Sequence, residues 1–179
     1  MTHAGTKFPA ILRLLALAAV LWLPPAAFAD DYATVNQLHR SGKTAEALVA
    51  ADQYLLAKPK DPQMRFLKGV IQTEAGHKDD AIATFSKLNE DYPELPEPYN
   101  NLAVLYAEQS QFDKARAALE LAVRANPGYA IAHENLGDVY ARMAGIAYSK
   151  AQQLDSRNTS VPPKLALIRQ LFTPVAKAN

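Results

Sequence analysis

Proline recurs at a strict spacing of 34 residues, at Pro59, Pro93 and Pro127. Gly42 and Gly76 keep the same spacing, as do Ala47, Ala81 and Ala115. A fixed period of this length specifies a row of helical hairpins, because one hairpin alone cannot bury its apolar face and must stack on the next. The expected fold is therefore all-α, a solenoid of stacked hairpins. Such a chain works by presenting surface, so a binding module is expected ahead of an enzyme.

Composition sharpens that expectation. The 179 residues suffice for one ordinary domain after any processing. With 19 Lys+Arg against 18 Asp+Glu, the chain has no bulk attraction to nucleic acid. Seven glycines and 49% hydrophobic residues suit a compact, ordered helical protein. The absence of cysteine excludes disulfides, thiolate zinc sites, thiol nucleophiles and a lipidated N-terminal cysteine together.

Residues 1–29 have the pattern of a secretory signal peptide. Lys7 and Arg13 are basic, Leu14 to Leu23 is an almost unbroken apolar run, and Pro24-Pro25 breaks the helix. Ala27-Phe28-Ala29 then supplies a small-x-small cleavage site. The run is about half the ~20 residues needed to span a bilayer, so no membrane insertion is expected after cleavage. Processing after Ala29 removes two cations and no acid, leaving 17 basic and 18 acidic side chains and a formal charge of −1. The expected location is the periplasm or the exterior.

Frames of 34 residues begin at Phe28, Pro62, Pro96 and Ala130. The third is the clearest, with Tyr99, Leu102-Ala103, Tyr106, Ala115, Leu119, Ala122 and Pro127; the second keeps Gly69, Gly76, Ala81, Phe85, Leu88 and Pro93. The first keeps Gly42, Ala47 and Pro59, and the fourth matches through His133, Leu136-Gly137 and Tyr140. This pattern resembles the tetratricopeptide repeat, with frames 28–61, 62–95, 96–129 and a shortened 130–156. The expected organisation is a repeat solenoid over 30–159, followed by a capping helix and tail over 160–179. Small residues at Gly69, Ala103, Gly137, Ala81 and Ala115 are expected where helices approach closely. Phe85, Leu119, Tyr106 and Tyr140 are expected to pack around those contacts.

The fourth frame breaks the rule. Tyr106 and Leu119 lie 13 residues apart, but their counterparts Tyr140 and Tyr148 only 8, so about one inter-helix turn is missing. Leu136, Tyr140, Met143, Ala147, Ala151 and Leu154 nevertheless keep helical spacing across the gap. Gly145 alone argues for a bend, at a cost of about 1 kcal/mol relative to alanine. One uninterrupted helix is expected from Ala132 to about Leu154. A loop over Asn158–Ser160 and Pro162-Pro163 should follow, then an amphipathic capping helix from Lys164 to Phe172 through Leu165, Ile168, Leu171 and Phe172. From Thr173 onward the chain reads as a frayed tail.

Catalytic and metal signatures are missing. His39, His77 and His133 have no second histidine at i+3 or i+4, and no HExxH, P-loop, GxGxxG or GxSxG string occurs. Asp30-Asp31 and Asp79-Asp80 fall where solvated carboxylates and helix caps are ordinary. Neither a cofactor, nor a metal site, nor a catalytic residue is expected.

The resemblance implies a concave groove lined by the first helix of each repeat. It assigns Tyr32, Asn36, His39 and Arg40 to that groove, then Phe66, Val70 and Glu74. Glu97, Asn100, Asn101, Val104 and Glu108 follow, then Ile131, Glu134, Asn135, Asp138 and Arg142. Asn101 and Asn135 share one frame position, and an asparagine donor–acceptor pair suits the main chain of an extended peptide. The family's two-carboxylate clamp needs cations that this chain lacks. Phe66 or Tyr32, Glu97 or Ile131, and Asn101 or Asn135 stand there instead. With Glu97, Glu108, Glu134 and Asp138 facing Arg142, a neutral or basic ligand fits best.

The expectation is an exported interaction scaffold or adaptor that binds a protein or peptide segment and serves envelope assembly. The rival is a self-assembling protein that forms a homodimer through the fused fourth repeat. A module holding polysaccharide is disfavoured, because aromatic residues are missing from the groove beyond Tyr32 and Phe66.

Overall fold

The computed structural model describes residues 26–173, with side chains from residue 31 onward. The expected signal peptide therefore lies almost wholly outside the described residues. Among the described residues the elements are α1 (Ala26–Arg40), α2 (Thr44–Ala57), α3 (Pro62–Glu74), α4 (Lys78–Asp91), α5 (Pro96–Glu108), α6 (Phe112–Ala125), α7 (Ala130–Leu154) and α8 (Val161–Leu171), with no strand. Consecutive helices pack on one another, and α3 also touches α1 and α5, as stacked hairpins require.

The recurrent prolines act through the residue before them. The proline ring disfavours the α conformation at the preceding position, and Lys58, Tyr92 and Asn126 leave the helix at φ −133°, −139° and −142°. Pro62 and Pro96 then open α3 and α5, where a missing N–H costs nothing. Asp61 caps α3 by accepting from the Met64 N–H at 2.9 Å. Within each hairpin, Gly42 and Gly76 turn the chain at φ 73° and 76°. Ser110 does so in the third hairpin at φ 59°, a strained conformation for a residue with a Cβ.

The core runs along the stack as three clusters. Val35, Ala47, Ala51, Met64, Leu67 and Ile71 fill the first. Ala81, Phe85, Leu102 and Leu105 fill the second. Ala103, Ala115, Ala118, Leu119, Ala122, Ala132 and Val139 fill the third. Ala47, Ala81 and Ala115 are completely buried, so the sequence-periodic alanines do mark tight helix crossings.

At the fourth repeat the chain does not turn. Ala144 stands where Gly42, Gly76 and Ser110 stand, and α7 runs through it as one helix of 25 residues. It begins two residues before the expected Ala132 and ends at the expected Leu154. Two expectations fail for a single reason, the missing second helix. Gly137 was expected at a close approach, yet a Cβ built there meets nothing within 4 Å. Tyr140 was expected to pack, yet it is 48% exposed, with its hydroxyl reaching Glu120 Oε1 at 3.3 Å.

The cap also differs from expectation at both ends. Pro162 and Pro163 lie in the first turn of α8 rather than in a loop, because helix N-termini tolerate proline. Val161 and Leu165 are buried, and Ile168 lies against Gly145. Leu171 points outward at 61% exposure, and Phe172 takes the inward place, under the Arg142 guanidinium at 3.8 Å.

Candidate functional site: the concave groove

The groove is formed by α1, α3, α5 and α7, and its two ends differ. At the α1 end, Asn36 and Arg40 line an open recess with Tyr32 and Ser41. His39 Nε2 meets Glu74 Oε2 at 2.7 Å, tying the first repeat to the second. Phe66 is only partly available there, since its ring packs against the buried Phe85 with centroids 5.7 Å apart.

At the α7 end a pocket of about 410 Å³ lies between α5 and α7. Val104 and Glu108 form one wall, Asn135, Asp138 and Arg142 the other. Phe112 and Phe172 close its far side. Phe172 was missed as a groove residue, because its amphipathic spacing showed a covered face but not which side chain reaches Arg142. Ser110 also lines this pocket and was missed, although its register with Gly42 and Gly76 marks it as a turn residue.

The asparagines do not form the ladder expected from their shared frame position. Asn135 donates from Nδ2 to Asn100 Oδ1 at 2.8 Å, across neighbouring repeats. Asn100 is buried, so this bond satisfies a carbonyl that would otherwise be desolvated without a partner. Asn101 instead donates to the Glu97 carbonyl of its own helix at 2.9 Å.

The acidic character is partly offset. Glu108 Oε2 meets Lys78 Nζ at 2.8 Å, a cation outside the expected groove set. Glu97, Glu134 and Asp138 are exposed and meet no cation among the described residues. Burial, and secondarily the Glu97 carboxylate, raises the Tyr129 phenol above its ordinary value. Among the described residues, no group of three or more His, Asp or Glu side chains could hold a metal ion. None of their helices is long and apolar enough to cross a membrane. The arrangement offers hydrogen bonds, shape and negative charge to a chain segment lying along the groove.

Comparison with known proteins fits this geometry. A family model for the tetratricopeptide repeat matches residues 28–96 and 100–146, more than half of the chain. The chloroplastic tetratricopeptide repeat domain-containing protein PYG7 of Arabidopsis thaliana is 34% identical over 83 residues, 44% of this chain and 28% of that protein. The chain thus spans less than a third of that relative's length. The crystal structure of MamA superposes with a TM-score of 0.59 at 23% identity, covering 76% of this chain and 82% of that one. PcrH of Pseudomonas aeruginosa, in complex with the chaperone binding region of PopD, superposes with a TM-score of 0.61 at 17% identity, covering 68% and 97%. At those identities the overlays show the shared fold. From its repeat register, its stacked hairpins and the extent of the match, this chain belongs to the tetratricopeptide repeat family.

Proposed function

We propose that the protein is an exported scaffold or adaptor that holds a segment of a partner protein in the concave groove, in the service of envelope assembly. The observation that carries this reading is the pocket between α5 and α7, where Glu108, Asn135, Asp138 and Arg142 converge beside exposed Val104. A neutral or basic extended segment suits it, and PcrH offers a precedent by binding a region of PopD. The signal-peptide pattern ending at Ala27-Phe28-Ala29 supports export.

The test is capture of partners from envelope extract by the wild-type protein and by Asp138→Lys. The reading expects a partner retained by the first and lost from the second, with unchanged helicity. Equal capture by both would remove the groove from the account. Intact mass of protein from the native host should begin at Asp30, and a full-length membrane species would overturn export. A homodimer is the second reading, favoured by the outward Leu167 and Leu171 of α8, at 66% and 61% exposure. Light scattering decides it.

A further inference from the structure

Beyond Arg142 the fused α7 and the cap α8 pack together, with Ile168 against Gly145 and Lys164 over the Tyr148 ring, and residues of both line a second groove of about 650 Å³. The α7 wall consists of Arg142, Gly145, Ile146, Ser149, Lys150 and Gln153, which recur at helical spacing along one face. The α8 wall consists of Leu165, Ile168, Arg169 and Phe172, again one helical face. From Arg142 to Gln153 the trough is about 16 Å long at 1.5 Å per residue, or three helical turns.

Its chemistry is the reverse of the concave groove. The floor is apolar, with Ile146 57% exposed, and the rim carries Arg142, Lys150 and Arg169 with no carboxylate among the lining residues. None of these three cations meets an acid among the described residues. Arg142 lies over the Phe172 ring, at the boundary shared by the two pockets.

We propose that this groove is a docking site for a short, acidic, amphipathic helix of a partner protein, distinct from the segment held in the concave groove. A helix of about three turns matches the length, its apolar stripe matches the floor, and its carboxylates match the three cations. A second copy of this chain is disfavoured as the occupant, because two-fold pairing of the groove would set Lys150 and Arg169 against like charges. Residues 174–179 carry Lys177 and no acidic side chain, so they offer no acidic helix face.

The probe is a designed, fluorescently labelled helical peptide with leucines at i, i+3, i+4 and i+7 and glutamates on the other face. Its control replaces every glutamate by lysine. Anisotropy titrations would use the wild-type chain, Lys150→Glu/Arg169→Glu, and Asp138→Lys. Both double-variant positions are exposed, so folding should be retained, and circular dichroism checks it. The expected result is binding of the acidic peptide about tenfold tighter than its lysine control, a preference reversed by the double variant, weakened by salt and kept by Asp138→Lys. Equal binding of both peptides, no binding, or an acidic preference that survives the double variant would overturn the proposal. Displacement of the peptide by self-association, or by an anionic fatty acid in preference to it, would also overturn it by assigning the groove to another occupant. Clearly tighter binding of the acidic peptide by Asp138→Lys, with the double variant unchanged from wild type, would place the probe in the concave groove and reject this second site. Failure here leaves the capture experiment on the concave groove unaffected.

Discussion

The second and fourth repeats begin alike and end differently. Both place a glycine at the eighth position of the frame, Gly69 and Gly137. At Gly69 an added Cβ would lie 2.6 Å from the Phe85 ring, which is completely buried. At Gly137 it would meet open space. The difference is the second helix: α4 folds back and drives Phe85 onto Gly69, whereas α7 continues straight and brings nothing back onto Gly137. A repeat residue therefore takes its role from its partner helix rather than from its place in the frame. The fourth repeat exchanges a closed core for exposed surface, and both grooves at that end depend on the exchange.

The largest expected effect comes from deleting the aromatic side chain of each repeat. Phe85→Ala should destabilise by about 3–5 kcal/mol, through lost burial and the cavity left behind. Tyr140→Ala, at an exposed site, should stay within about 0.5 kcal/mol. Urea denaturation measures both, and a comparable loss at Tyr140 would mean that its side chain packs into the core after all.

The glycines sharpen the contrast. Gly69→Ala should destabilise by about 1–3 kcal/mol, since the Phe85 ring has no free space into which to retreat. Gly137→Ala should stabilise by up to about 1 kcal/mol from helix propensity alone. Opposite signs at equivalent positions are the expectation, and matching signs would break it.

A smaller effect concerns acid. Arg65, 8% exposed, holds Asp91 at 2.7 Å, while α7 makes no ion pair among the described residues. The hydrogen bond from Arg65, assisted by Lys87, keeps the Asp91 carboxyl below its ordinary range. A carboxyl depressed in the folded state stabilises the fold above its unfolded-state pKa, and that contribution is lost as pH falls through the folded value. Asp91→Asn should accordingly flatten the fall in urea midpoint below about pH 4. An unchanged acid limb would remove this pair from the account.

The fold was legible because it depends on period. Pro59, Pro93 and Pro127 set the helix ends through backbone sterics alone, and missing turn residues near Ala144 announced the fused helix. Side-chain pairing was less legible. Asn101 and Asn135 share a frame position, but helix stagger brings Asn135 to Asn100, and no one-dimensional register encodes that offset. The misplacement of Tyr140 has a different origin. Its packing role assumes a second helix, and the residue count that removes the turn also removes that partner. Phe172 lies beyond the last repeat, where the period carries no information.

The continuous α7 is the claim on which the comparison rests, and the chain's lack of cysteine makes it directly measurable. Glu134 and Leu154 are exposed, so Glu134→Cys/Leu154→Cys accepts two spin labels without disturbing the core. Double electron–electron resonance should then report a single narrow distance near 30 Å, from 20 residues at about 1.5 Å each. A distance near 10 Å, the separation of two packed helices, would show a hairpin at Ala144-Gly145 and contradict the account.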